Sequence, residues 1–165
     1  MCKFRDLTAK EIECRVGMVK DSGLSLLLYK DARVDMNLLD EVVGSANWQR
    51  EHYEVKGNLY CRVGIKLGGE WVWKSDCGTE SNAEAQKGEA SDSFKRACVN
   101  WGIGRELYTA PFIWILATAC KIENKKCYDE FIVEKIIITD KRITAIAIWN
   151  KTKGCRAFVW QETAK

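Results

Sequence analysis

Proline and histidine are nearly absent from this chain, which contains one of each, Pro111 and His52. A zinc site built from cysteine and histidine would be short of ligands, and the eight cysteines include no CxxC pair. Long apolar runs are absent too: the longest, residues 112–120, is too short to cross a membrane and is typical of a buried element. The sequence therefore indicates neither a zinc-binding module nor a membrane protein.

Charge of one sign is never concentrated along the chain. The 26 lysines and arginines nearly balance the 23 aspartates and glutamates, the net charge is +3, and no five like charges are consecutive. Any basic surface must therefore be assembled by folding. The first residues lack the apolar segment of a secretion signal, so we expect a cytoplasmic protein with no membrane partner, whose cysteines are reduced thiols.

The sequence signatures of catalysis are scarce. A phosphate-binding loop needs GxxxxGK followed by Ser or Thr, because its backbone N–H groups and lysine wrap the phosphates, and no such string occurs. Gly102 and Gly104 follow a predicted helix instead of a strand, which favours a helix end over a dinucleotide site. His52 is interpreted as a surface histidine and not as a member of a catalytic triad. We therefore expect no catalytic residue, no cofactor and no metal.

The clearest local pattern predicts a three-stranded antiparallel sheet. Alternating apolar residues mark strands over residues 48–55, 59–67 and 70–76. Residues 57–58 and 68–69 are typical of two-residue turns between such strands.

These turns determine the predicted pairing of the strands. They would place Ile65 opposite Val72 and Lys66 opposite Trp71 across the ladder. One face of the sheet is then aliphatic. The other face carries aromatic and cationic side chains, namely Tyr53, Tyr60, Arg62, Lys66, Trp71 and Trp73.

A long amphipathic helix is predicted after the sheet. Ser81 or Asn82 would cap its start, and Gly102 would end it as the C′ residue. Lys95 and Arg96 lie beside its apolar stripe. The stripe consists of Ala83, Ala90, Phe94, Ala97, Cys98 and Trp101.

Both ends of the chain predict further elements. Thr8 and Glu11 have the spacing of a capping box, so we expect a first helix that begins there and ends before Gly17. A strand over residues 24–29 and a second helix over residues 35–43 follow. The last part of the chain predicts a β-meander with strands over residues 131–139, 142–149 and 155–160.

The predicted fold class is therefore α+β. It consists of a three-stranded antiparallel sheet followed by a long helix, a β-β-β-α core, with an N-terminal helix and a C-terminal β-meander. We assign residues 1–122 to this core with its N-terminal helices, and residues 127–165 to the meander, packed on the same domain.

Cations and aromatic side chains gather on the predicted core, which favours nucleic-acid binding. Lys95 and Arg96 on the helix are the first candidates. Further candidates on the strands, the same helix or just beyond it are Arg62, Lys66, Lys74, Lys87 and Arg105. Tyr60, Trp71 and Trp73 offer flat surfaces for bases, and cations combined with such surfaces suit single-stranded nucleic acid.

Simpler and competing interpretations remain open. Asp92 precedes Arg96 by four residues, as in an ordinary helix ion pair, and the tryptophans could pack in the core or between subunits. A β-β-β-α order also occurs in double-stranded RNA-binding modules, so a monomeric duplex-binding adaptor is the second hypothesis. A metal-dependent nuclease using Glu70, Lys74 and Asp76 is a distant third.

The amino-acid sequence of the predicted helix resembles that of a known family. Residues 88–97 read GEASDSFKRA, and WG and LY follow at residues 101–102 and 107–108. This pattern resembles the signature helix of the Rad-fifty-two family of single-strand annealing proteins, and within it the phage-encoded, Sak-type branch. Residues 33–48 resemble the helix that precedes the first long strand of that family, and the likeness covers residues 33–111.

This resemblance implies a protein that binds single-stranded DNA in an outer basic groove and anneals complementary strands without ATP, in phage or prophage recombination and repair. It implies a homo-oligomer, as a ring or filament, in the host cytoplasm. A phage exonuclease and a host single-strand-binding protein are the expected protein partners. The family's DNA-contacting positions carry over to Arg33, Lys95 and Arg96, whereas a further basic position falls on Val99 and an outer-site lysine on the turn at residues 68–69.

Overall fold

The computed structural model describes residues 2–79 and 85–163, with the backbone alone for residues 85–87. The predicted capping residues Ser81 and Asn82 lie outside this part of the chain. The described elements include two α-helices, α1 (Ala32–Val43) and α2 (Ala85–Asn100), and 3₁₀ turns at Ala9–Glu11, Arg105–Thr109 and Ala117–Ala119. The strands are β1 (Glu13–Lys20), β2 (Gly23–Tyr29), β3 (Trp48–Val55), β4 (Asn58–Leu67), β5 (Glu70–Cys77), β6 (Ile113–Leu116), β7 (Phe131–Thr139), β8 (Arg142–Asn150) and β9 (Cys155–Gln161).

The chain is organised as two compact units. The first contains Met1–Arg5 and Ala32–Gly104, and the second contains Asp6–Asp31 and Arg105–Lys165. A three-stranded sheet in the order β3-β4-β5 lies in the first unit with both helices, and a six-stranded sheet in the order β6-β2-β1-β7-β8-β9 lies in the second. Neither described helix has the length and apolarity that a membrane crossing requires.

The pairing within the three-stranded sheet follows the sequence pattern closely. Ile65 lies opposite Val72, as predicted from the second turn. The first turn is displaced by one residue from the predicted residues 57–58. Lys56 and Gly57 are its two central residues, with φ of 52° and 78°. Positive φ at both central positions is what a type I′ hairpin turn requires.

One face of this sheet packs against α2. Cys61, Val63 and Ile65 occupy alternate positions of β4 and are fully buried, and so are Phe94 and Ala97 on α2. The strand period of two and the helix period of 3.6 therefore present two apolar surfaces that cover each other. This contact is the core of the first unit.

The second unit is built on its six-stranded sheet, which is nearly closed. Glu13 at the start of β1 lies opposite Tyr29 of β2 on one side and Ile132 of β7 on the other. The sheet therefore joins strands from both ends of the chain. Its core contains the almost completely buried side chains of Leu24, Ile113, Ile115, Ile143, Ile146 and Ile148.

The predicted fold class, an α+β protein built on a β-β-β-α core with a long helix, is wrong. The described chain is mostly β, and its largest element is the six-stranded sheet. The predicted N-terminal helix shows how the error arose. Its capping box does form, with the Thr8 backbone N–H donating to Glu11 Oε2 at 2.8 Å, but it closes only the 3₁₀ turn Ala9–Glu11.

Strand pairing explains why the helix does not continue. A helix cap contributes only about 1 kcal/mol. The residues after Glu11 form β1, which has β2 as one neighbour and β7 as the other. Because most of β1 is paired with β2 in an antiparallel ladder and Glu13 also pairs with β7, this arrangement outweighs a local helix signal. The predicted C-terminal meander, β7 to β9, is likewise half of the same sheet.

Candidate nucleic-acid interface

The predicted contact residues of the first unit lie on two sides of its sheet. Lys95 and Arg96 belong to α2, which covers one side, here called the helix side. Arg62 and Lys66 belong to β4, where successive side chains point to opposite sides. Since Val63 and Ile65, which alternate with them, are buried against α2, Arg62 and Lys66 point to the other side, here called the open face.

Two of the remaining predicted contacts lie on other elements. Arg33 is exposed on α1 of the first unit. Arg105 is exposed at the start of a 3₁₀ turn in the second unit. The side chain of Lys87 lies outside the described residues. Within the first unit, Lys95 and Arg96 therefore lie on one side of the sheet and Arg62 and Lys66 on the other, so these predicted contacts do not share one surface.

Arg96 is held loosely at the border of α2 and β5. Its Nη2 and Nε both lie 3.5 Å from Asp76 Oδ1, and 41% of its side chain is exposed. Asp92, the partner expected from a helix ion pair, instead accepts hydrogen bonds from the backbone N–H and the hydroxyl of Thr79 at 3.0 and 3.1 Å. Arg96 therefore keeps guanidinium donors that a phosphate could use.

Lys95 adds a second cation to the outward side of α2. Its side chain is half-buried, and it pairs with no acidic group or acceptor in the described part of the chain. Val99 lies one turn beyond both cations and is also half-exposed. Among the described residues, the helix side therefore presents two neighbouring positive charges, of which Arg96 alone has an acidic partner.

Lys74 is directed into the packing between β5 and α2. Its Nζ donates a hydrogen bond to the carbonyl of Asn100 at 2.8 Å and lies 4.5 Å from the centre of the Trp101 ring. Trp101 in turn donates from Nε1 to the Val63 carbonyl at 3.0 Å. Lys74 thus has structural partners on the helix side, and Trp101 is a packing residue.

The open face combines cations with flat aromatic rings. The Arg62 guanidinium lies 4.6 Å from the centre of the Trp73 ring and donates from Nε to Glu51 Oε2 at 2.8 Å. Trp73 and Trp71 have ring centres 6.1 Å apart. Lys66 is exposed and lies opposite Trp71 in the ladder, as predicted.

Comparison with known proteins identifies the family. The sequence profile described as Rad52/22 family double-strand break repair protein matches residues 5–126. The chain belongs to the Rad52/22 family. The match confirms, at the level of the family, the resemblance seen in the helix that carries Lys95 and Arg96, and all of the predicted contact residues lie within the matched range.

Two curated proteins resemble part of this Rad52/22 family chain. Single-stranded DNA-binding protein DdrA of Deinococcus radiodurans is 37% identical over 91 residues, which are 54% of the chain and 43% of the relative. Single-stranded DNA-binding protein DdrA of Deinococcus deserti is 35% identical over 109 residues, which are 64% of the chain and 54% of the relative. The chain spans about half the length of these curated relatives.

Arg50 is a cation on the helix side that was not among the predicted contacts. It lies on β3, and its guanidinium is 4.7 Å from the centre of the Phe94 ring. His52, two positions further along the same strand, was expected at the surface. It is half-buried, with Nε2 3.0 Å from the Ala90 carbonyl oxygen. The alternation of side chains along β3, applied to its polar residues, is the signal that could have found both contacts.

The side chains of this candidate site offer charge and flat aromatic surfaces and no activated nucleophile among those described. Burial raises the pKa of Cys61 to about 11, although the charge of Arg50 acts in the opposite direction, so this thiol is neutral at physiological pH. In the part of the chain that the structure describes, no three His, Cys, Asp or Glu side chains are grouped so that they could hold a metal ion.

Proposed function

We propose that this protein binds single-stranded DNA and anneals complementary strands without ATP in DNA repair and recombination. Membership of the Rad52/22 family supports this function, and so do the two relatives named as single-stranded DNA-binding proteins. The observation that carries the site assignment is the neighbouring pair Lys95 and Arg96, because Lys95 is unpaired in the described part of the chain and Arg96 is held only at 3.5 Å.

The proposed mechanism is physical and needs no covalent step. Lys95, Arg96 and Arg33 contact phosphates, which hold a strand regardless of its sequence. The base edges stay accessible, so two coated strands sample different alignments. Base stacking and hydrogen bonding between the strands then select the correct pairing. The protein acts in this proposal as a non-enzymatic homo-oligomer, a ring or filament, and a phage exonuclease or host single-strand-binding protein is its protein partner in a phage or prophage system.

The site assignment is tested by the salt dependence of binding. For Lys95→Ala/Arg96→Ala we expect weaker binding to a labelled single strand, measured by fluorescence anisotropy at several salt concentrations. The slope of log K against log salt should fall by about 1.4, because each phosphate contact to a single strand contributes about 0.7. Lys125→Ala/Lys126→Ala removes the same charge from an exposed turn of the second unit and is the matched control. Unchanged affinity and slope in the Lys95/Arg96 variant would refute the assignment.

The annealing function is tested separately. Two complementary strands carrying donor and acceptor dyes are mixed with the protein without ATP, and pairing is followed by fluorescence transfer. We expect pairing much faster than in the protein-free control, and loss of this acceleration in the Lys95/Arg96 double variant. Tight binding without acceleration would reduce the function to single-strand binding.

A further inference from the structure

We infer that the open face of the three-stranded sheet binds unpaired bases by stacking and gives the protein its preference for single strands over duplex. The inference rests on the proposed function and concerns a surface opposite the Lys95–Arg96 pair. The aromatic and cationic side chains of the open face are Tyr53, Tyr60, Arg62, Lys66, Trp71 and Trp73, and the polar residues Gln49, Glu51 and Ser75 lie on the same face.

Trp71 is the most accessible aromatic platform of this face. It lies on β5, an edge strand of the sheet, and 38% of the residue is exposed. Its ring leans against Trp73, with 6.1 Å between ring centres and 33° between ring planes. Tyr53 and Tyr60 form a second stacked pair with 5.7 Å between centres. Exposed indole surface is costly in water, and the flat face of a base covers it without regard to sequence.

The backbone beneath Trp73, the ring against which Trp71 leans, allows the Trp73 ring to lie flat on the sheet. A Cβ atom on Gly64, which lies opposite Trp73 in the ladder, would be 2.9 Å from three atoms of the indole ring. The absence of that atom lets the ring lie down on the sheet. From above, Arg62 covers the same ring at 4.6 Å while Glu51 holds the guanidinium. The ring is therefore held in place before any ligand binds, which reduces the entropy lost on binding.

Lys66 supplies the positive charge that a strand on this face requires. It is exposed, lies opposite Trp71, and pairs with no acidic group in the described part of the chain. Cross-strand side chains of this kind have Cβ atoms about 5 Å apart. A nucleotide whose base stacks on Trp71 would therefore have its phosphate within reach of the flexible lysine side chain.

The two sides of the sheet then have different tasks. Phosphates are present in single strands and in duplexes, so Lys95 and Arg96 alone do not distinguish the two forms. The face of a base is covered by its neighbours in a duplex and is accessible when the strand is unpaired. Stacking on Trp71 is thus available only to single strands, and the open face determines the preference.

The experiment compares the affinities of Trp71→Ala for a single strand and for a duplex of equal length. Single-strand affinity should fall about fivefold or more, duplex affinity should stay unchanged, and the salt slope should be retained. Lys66→Gln should instead lower the slope for single strands by about 0.7. Val72→Ala is the matched control, since Val72 is the next residue, is 40% exposed and points to the other side of β5.

Several outcomes would overturn the inference. Unchanged single-strand affinity in Trp71→Ala, with binding lost in the Lys95/Arg96 variant, would refute it and leave the proposed function intact. No single-strand binding by the wild type would refute both. If Trp71→Ala forms a smaller assembly in solution than the wild type, with unchanged binding per subunit, the open face would be assigned to contact with a second copy of the chain.

Photocrosslinking of the wild-type protein to a bromodeoxyuridine strand makes the test independent of how well Trp71→Ala folds. We expect the crosslinked peptide, identified by mass spectrometry, to contain Trp71 or Tyr60. Crosslinks confined to α2 would contradict the inference.

Discussion

At the residue scale, Lys74 has a partner that its position in the sequence does not reveal. The sequence presents it as one of several cations that could contact DNA. In the structure its ammonium group donates to the carbonyl of Asn100, the last residue of α2. The last carbonyls of a helix lack partners within the helix and carry partial negative charge, so a cation there stabilises the helix end.

We expect Lys74→Met to lower the free energy of unfolding by about 1–2 kcal/mol, because the Asn100 carbonyl loses a charged donor while much of the aliphatic stem is kept. Chemical denaturation followed by tryptophan fluorescence measures the change. Lys66→Met alters an exposed lysine on the neighbouring strand and should change the stability by less than about 0.5 kcal/mol. Wild-type stability of Lys74→Met, combined with a reduced salt slope for DNA, would instead make Lys74 a DNA contact.

At the scale of elements, the position of α2 depends on a close approach to the end of β5. Gly78, the residue after β5, is buried, and a Cβ atom there would be 2.4 Å from the Glu89 carbonyl oxygen and 3.0 Å from the Ser93 backbone nitrogen. Glu89 also accepts a hydrogen bond from the Leu59 backbone N–H at 3.0 Å through its carboxylate. The helix that carries Lys95 is thus fixed to the sheet at its backbone.

We expect Gly78→Ala to lower the free energy of unfolding by about 1–3 kcal/mol, because backbone atoms of α2 must move to admit the methyl group. The displaced helix should also bind single-stranded DNA more weakly. Thermal unfolding and fluorescence anisotropy measure the two effects. Ser75→Ala, an exposed position on β5, is the control and should match the wild type in both. Wild-type stability of Gly78→Ala would show that α2 is not fixed by this approach.

At the scale of the whole molecule, the second unit depends on strands from both ends of the chain. β1 and β2 come from Asp6–Asp31, whereas β7, β8 and β9 come from the C-terminal part. The Rad52/22 family match ends at residue 126, before these last three strands. The sheet nevertheless needs them, because Ile143, Ile146 and Ile148 of β8 belong to its core.

We expect a chain that ends at residue 126 to lose the fold of the second unit. The edge of β1 that pairs with β7 in the full chain would be unpaired, and the core would lack the side chains of β8. Limited proteolysis with mass spectrometry should then show cleavage within residues 6–31, while residues 48–77 stay protected. A chain that ends at residue 161 keeps β9 and is the control. Equal resistance of residues 6–31 in both chains would contradict this dependence.

Local sequence patterns were enough to predict the strands over residues 48–77, most of their register and the family. Alternation of side chains and two-residue turns are local signals, so the pairing of Ile65 with Val72 follows from neighbours in the chain. The family was recognisable because the motif around Lys95 and Arg96 is continuous in sequence. The roles of these residues in DNA binding stay predictions.

Features that depend on residues distant in the chain could not be predicted in this way and emerge with the fold. The capping signal at Thr8 predicted a helix, but the residues after it pair with β2, and the same sheet continues from Glu13 to β7, more than one hundred residues later. Likewise, only packing of α2 on the sheet assigned Lys74 to a helix end and separated the open face from the helix side. Local patterns report the preference of a segment, whereas the partners that satisfy its backbone and its charges come from the whole fold.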